Sequence, residues 1–308
     1  MAAVTIRVPA TTANMGPGFD AFGCALQLYT DVTFEETDFG LEITGCDEEF
    51  TGPDNLAYVS YCAVLNSLSE EVRGVKIHID SNIPICRGLG SSAAVTVATI
   101  AALHHFHGVE FNKETLAHEA HGVEEDVQGI ASPLDTLIST YGGLIYLSRE
   151  KRIVRFDSHL DAPFVVGFTN KYGNTAKMVK NVKTLKETYP ELVDPIISTM
   201  GKIANEARVA IIKNDVERIA ELMNLNQGLL DSLGVNTYEL SRMIYTARDN
   251  GALASKITGS GGGGSIISLC SEETIDEVAE AINVEDKTIK VKFSKDGVLV
   301  NRRAPPLP

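Results

Sequence analysis

The chain has 308 residues, 44% of them hydrophobic, and a formal net charge of −14. That content supports a large buried core, as one big domain or two joined ones, and a mean hydropathy of +0.02 with no apolar run of spanning length reads as a soluble protein with no membrane partner. The acidic balance without basic stripes excludes a role wrapping nucleic acid, and five scattered cysteines with no CxxC pair fit a reducing cytoplasm, not a disulfide framework or thiolate zinc site.

The opening MAAVTIRVPATTA lacks the basic and long apolar regions of a secretory signal. Segments 4–8, 29–36, 41–45 and 75–80 are β-branched runs bounded by Gly, Asp and Pro, which predicts strands. Helices are predicted at about 57–68, 92–106 and 114–127, and GGLIYL (142–147) returns to strand. A charged stretch near 150–162 marks the expected boundary between domains 1–155 and 156–308. Beyond it come strand FVVGFT, a helix-rich stretch over 175–249, a glycine run between two strands, helix TIDEVAEAI and strand TIKVKF. Strands and helices mix without regular βαβ alternation, so the fold class is α+β.

PICRGLGSSAA (84–94) carries the clearest chemical signal. Gly88 and Gly90 let a backbone turn approach a bulky anion without a Cβ in the way. Ser91 and Ser92 then open a helix whose first N–H groups have no intrahelical partner, a setting suited to a triphosphate and its metal. The spacing is not that of a P-loop, and a plain turn before an N-capped helix remains the alternative.

VPATTANMGPGFDAFG (8–23), PICRGLGSSAA (84–94) and KITGSGGGGS (256–265) stand in that order. Together they resemble the three motifs of the GHMP small-molecule kinases, and the resemblance spans residues 4–295. It implies an ATP-dependent phosphotransferase with a ribosomal-S5-like N-terminal domain, a ferredoxin-like C-terminal domain, and a small hydroxy acid held between them. Residues 5–85 look like a bacterial homoserine kinase, through VPATTANMGPGFDAFGCAL and DNLAY. Residues 88–270 look like an archaeal-type mevalonate kinase, through GLGSSAAVTVATIAAL, VEEDVQGIASPLDTLISTYGG and KITGSGGGG. A homodimer is an expectation by analogy with related kinases.

Residue by residue, the resemblance implies nucleotide contacts at Asn55, Pro84, Arg87, Gly88, Leu89, Gly90, Ser91, Ser92 and Ala93. Asn55 would equally cap the helix that follows it. Ser92 and Glu124 match metal-binding positions, and hard oxygen ligands are what Mg²⁺ prefers. Glu124 beside Glu125 and Asp126 also reads as the wet face of a helix. Asp135, in SPLDT, matches the aspartate assigned as catalytic base in mevalonate kinases, with a helix-capping Asp in a loop as the bland alternative. Thr11 stands where those kinases carry a lysine beside that aspartate. Asn14 and Asp20 match positions where homoserine kinases hold the amino-acid head, while Thr175, Gly261 and Gly262 complete the candidate substrate contacts. The expected acceptor is mevalonate, with homoserine second and a catalytically silent ligand sensor third. His104, His105 and His107 have no evident carboxylate partner in the sequence and read as surface or partly buried histidines.

Overall fold

Alternation of β-branched residues sets the first strand, β1 (Val4–Thr12), with Val4, Ile6 and Val8 buried and Arg7 exposed between them. In the computed structural model, the described residues are 3–12, 21–109, 112–128, 133–147, 152–156, 160, 162–171, 173 and 175–301. The chain continues through β2 (Ala21–Thr37), β3 (Leu41–Thr44), α1 (Leu56–Ser67) and β4 (Gly74–Ser81). Helices α2 (Ser91–Phe106), α3 (Lys113–Gln128) and α4 (Pro133–Tyr141) follow, then β5 (Leu144–Leu147) and β6 (Ile153–Phe156).

The first sheet runs β3, β4, β2, β1, with β5 and β6 attached through the first half of β2. β2 is long enough to serve two partners: Ala21–Cys24 pairs with β5, and Thr30–Thr37 pairs with β4. β1 follows it antiparallel, with a register shift between Pro9 and Ala10 that re-aims the last three residues. α2 lies across this sheet. Its segment from Ala93 to His104 is buried almost without interruption, as an all-round apolar helix must be.

The second half contributes β7 (Phe164–Phe168), α5 (Thr175–Thr188), α6 (Pro190–Ile212), α7 (Val216–Ser232) and α8 (Tyr238–Asp249). It closes with β8 (Ala254–Thr258), β9 (Ser265–Leu269), α9 (Ile275–Asn283), β10 (Lys287–Val291) and β11 (Leu299–Asn301). Its sheet is antiparallel in the order β10, β7, β9, β8. Val165, Ile257 and Ile266 face a cluster with α8 and α9. Phe164, Val166 and Ile267 belong instead to the large core shared with the first sheet. The last strand, β11, returns to pair with β1. The α+β architecture agrees with the sequence.

Three elements differ from expectation. β2 begins at Ala21, well before 29, because Phe22, Cys24, Ala25 and Leu26 are all buried and a strand covered on both faces has no period of two to read. Residues 133–141 form a helix where a loop was expected; Pro133 at its first position was the available signal, masked by the β-branched Thr136, Ile138 and Thr140. Ile153–Phe156 is a strand within the charged stretch read as a boundary. All five cysteines are free thiols, and no helix among the described residues is long and apolar enough to cross a membrane.

Candidate functional site

The loop ending in Gly90 delivers the chain into α2 with Gly90 as N-cap, in the left-handed region at φ 67°. The first intrahelical bond runs from the Ala94 amide to the Gly90 carbonyl at 2.9 Å, so the amides of Ser91, Ser92 and Ala93 precede it. Leu89 and Ala93 are core residues, 1% and 0% exposed, so only their backbone is on offer. The glycines answer to the protein as well as to any anion. A Cβ on Gly90 would lie 2.1 Å from Thr11 Oγ1, and one on Gly88 would lie 3.2 Å from the Cα of Gly259.

Two carboxylates converge behind this helix start. Ser92 Oγ donates to Glu124 Oε1 at 2.6 Å, which draws the middle of α3 to the first turn of α2. Glu124 is only 3% exposed, so it is not on the wet face of its helix. Burial pushes its pKa up to about 7; the Ser92 hydrogen bond opposes this, and the negative charge of Asp135 adds to it. Asp135 occupies the first turn of α4, with its backbone at the positive end of the helix dipole. Thr11 Oγ1 donates to Asp135 Oδ1 at 2.5 Å. Burial raises the Asp135 pKa, and the Thr11 hydrogen bond draws it back down. Hydroxyl and carboxylate oxygens at the mouth of α2 form a hard donor set suited to Mg²⁺.

The third glycine motif packs on this centre. Gly259 meets Gly88 backbone to backbone, while Ser265 Oγ donates to the Arg87 carbonyl at 2.7 Å. Thr258 Oγ1 lies 2.8 Å from Thr12 Oγ1, linking the same loop to the end of β1. Gly261 and Gly262 face the second half of the chain. A Cβ on Gly261 would strike the Val235 carbonyl at 2.3 Å, and the Gly262 amide donates to that carbonyl at 2.8 Å.

Several of the other candidates make protein contacts. Arg87 Nη1 donates to the carbonyls of Thr169 (2.5 Å) and Lys171 (3.0 Å), making it a strut between the loop before α2 and the end of β7. Asn55 caps α1, accepting from the Ala57 amide at 2.8 Å and donating to the Phe50 carbonyl at 2.7 Å. Pro84 is partly covered at the start of the loop. Asn14 and Asp20 lie outside the described residues; Thr175 begins α5, with its side chain likewise outside them. The histidines do have carboxylate partners after all: His104 Nε2 lies 2.8 Å from Glu119, and His107 Nδ1 lies 3.0 Å from Glu70. No group of three or more His, Cys, Asp or Glu that could hold a metal occurs among the described residues. Sequence reasoning missed two groups outright. The hydroxyls of Thr12 and Thr258 join sequence-remote motifs, and Lys256 is 1% exposed inside the second sheet.

Two family models match the chain: the GHMP kinases N terminal domain over residues 55–143 and the GHMP kinases C terminal domain over residues 207–285. The mevalonate kinase of Methanothermobacter thermautotrophicus is 45% identical over 244 residues, covering 79% of either chain. The crystal structure of the Methanococcus jannaschii mevalonate kinase superposes with a TM-score of 0.81 at 26% identity, covering 94% of this chain and 98% of that one. A homoserine kinase structure from Cytophaga hutchinsonii shares the fold, with a TM-score of 0.79 at 21% identity and 98% of each chain covered.

Proposed function

Because the chain belongs to the GHMP kinase family, we propose that it transfers the γ-phosphoryl group of ATP to the hydroxyl of mevalonate. One observation carries the chemistry: at the start of α2, the Ser92–Glu124 pair and the Thr11–Asp135 pair stand together, close enough for Glu124 to feel the charge of Asp135. The choice of acceptor rests on the likeness to the Methanothermobacter thermautotrophicus mevalonate kinase, whose 244 matched residues run through the phosphate loop.

In this reading the amides of Ser91, Ser92 and Ala93 receive the phosphate oxygens at the positive end of α2. The acceptor oxygen forms a bond to the γ-phosphorus as the bond from that phosphorus to the bridging oxygen of the departing ADP breaks. The acceptor's proton passes to Asp135. Burial raises the proton affinity of Asp135, which suits a base, while the Thr11 hydroxyl keeps one oxygen committed. Ser92 and Glu124 would hold Mg²⁺, which when bound neutralises charge on the transferring phosphate. A divalent ion would also relieve the cost of ionising Glu124 in a buried setting. We also propose a division into units 1–155 and 156–308, with the terminal strand crossing back to the first, and a cytoplasmic setting.

The test is a coupled ADP-release assay over mevalonate, phosphomevalonate, homoserine and galactose. Mevalonate-dependent turnover is the expected result. Turnover with homoserine alone would replace the acceptor, and ATP binding without turnover on any alcohol would make the chain a ligand sensor.

A further inference from the structure

Thr11 joins the Asp135 carboxylate and the loop before α2 through both its side chain and its backbone. It is fully buried, at 0% exposure, near the end of β1. Its hydroxyl donates to Asp135 Oδ1 at 2.5 Å, across 124 residues of sequence. Its amide donates to the carbonyl of Leu89 in the phosphate loop at 3.0 Å. Its hydroxyl also fills the space next to the N-cap of α2, where any side chain on Gly90 would collide with it. On its other side, β1 continues into Thr12, whose hydroxyl meets Thr258 beside the third glycine motif. Antiparallel pairing of Thr11 with Ala25 holds the backbone between these contacts.

We propose that Thr11 is a positioning residue for phosphoryl transfer. It fixes Asp135 through Oδ1, so that Oδ2 faces the acceptor hydroxyl, and it keeps that carboxylate in register with the phosphate loop. The inference rests on Asp135 being the base, as proposed above. A hydroxyl has one proton to give, and giving it to Oδ1 leaves the second oxygen to take the acceptor's proton. A carboxylate held by one hydrogen bond and one helix turn loses rotational freedom before the substrate arrives, which is the kind of preorganisation that favours turnover over binding. The amide contact to Leu89 is made by backbone, so substitutions of the side chain leave it in place.

The experiment compares Thr11→Val, Thr11→Ser and Thr11→Ala in the full chain, alone and combined with Asp135→Asn, using mevalonate and ATP. Valine has the shape of threonine without the hydroxyl, and alanine removes the same hydroxyl if valine fails to fold. A kcat loss of about 10- to 100-fold is expected for both, the scale of a small misplacement in an active site, with each KM moving by less than about threefold because uniform binding is untouched. Thr11→Ser restores kcat. In the Asp135→Asn background, Thr11→Val adds no further loss, because the two residues act as one unit. Unchanged kcat in Thr11→Val overturns the inference, and so does a serine variant as impaired as valine, since only the methyl group would then matter. Wild-type turnover that survives Asp135→Asn refutes the assignment of the base itself. Turnover abolished by Asp135→Asn but indifferent to Thr11→Val removes only the role given to Thr11.

Discussion

Glu124→Gln separates the stability cost of the site from its chemical use. The carboxyl is 3% exposed and its pKa is pushed up to about 7 from an ordinary 4.5. In the unfolded chain it loses its proton near pH 4.5; in the folded chain it holds it to near pH 7. The folded state therefore binds more protons across that window, so stability is greatest below it and falls as pH rises through it. A shift of this size corresponds to about 3 kcal/mol of lost stability above pH 7. Glutamine is neutral at every pH and still offers an oxygen to the Ser92 hydroxyl. The variant should match the wild type near pH 4 and exceed it by about 3 kcal/mol at pH 8, which raises the melting temperature by about 5 °C for a chain of this length. The assay is thermal unfolding by circular dichroism from pH 4 to pH 8, without nucleotide or metal. The same substitution should abolish most mevalonate-dependent turnover and remove the melting-temperature rise given by Mg²⁺ with ATP. A variant no more stable than the wild type at pH 8 would refute the claim that a buried charge is held here at a cost.

Asp135→Asn should lower kcat by about 10²- to 10⁴-fold, the usual contribution of a general base, while ATP affinity measured by calorimetry stays nearly constant. Gly90→Ala should cost both stability and turnover, because the new Cβ would lie 2.1 Å from the hydroxyl that holds Asp135. Gly108→Ala is its control: it too has a left-handed backbone, at φ 62°, but nothing lies within 4 Å, so it should lose only the backbone cost of about 1–2 kcal/mol and keep its kcat. Lys256→Met tests another buried charge, a lysine whose pKa burial lowers to about 7 from 10.5. There the unfolded chain holds the extra proton between pH 7 and 10.5, so wild-type stability should rise with pH across that interval, by up to about 5 kcal/mol relative to methionine. Parallel stability curves for the two proteins would reject the assignment.

Much of the scaffold was legible because its signals are local. The two serines after Gly90 do open a helix, and KITGSGGGGSIISL does run strand, glycines, strand. Asp135 was readable as a functional candidate only through its resemblance to a motif, since the helix that presents it begins at a proline and is rich in β-branched residues. Asn55 and Arg87 show what spacing leaves open. Each makes protein contacts: Asn55 caps α1, one of its two sequence readings, and Arg87 braces the carbonyls of Thr169 and Lys171. Sequence spacing gives the residue type and its place along the chain; which partner claims a side chain is decided by contacts from elsewhere. The Thr11–Asp135 and Ser92–Glu124 pairs span 124 and 32 residues, beyond the reach of any local pattern.

The glycines of the loop before α2 are the sharpest instance. Read alone, Gly88 and Gly90 clear space for an anion, and the helix start behind them still offers its amides to one. In the folded chain the space left by their missing side chains is claimed by Thr11 on one side and Gly259 on the other. The same absence of Cβ thus brings three remote segments together: the end of β1 carrying the hydroxyl, the loop leading into α2, and the glycine run of the second half. A side chain at Gly90 would separate Thr11 from Asp135, and one at Gly88 would crowd the glycine motif. The requirement for glycine therefore comes first from packing Thr11, the start of α2 and the second glycine run around one strand end, and in the proposed reading access for a ligand follows from that assembly.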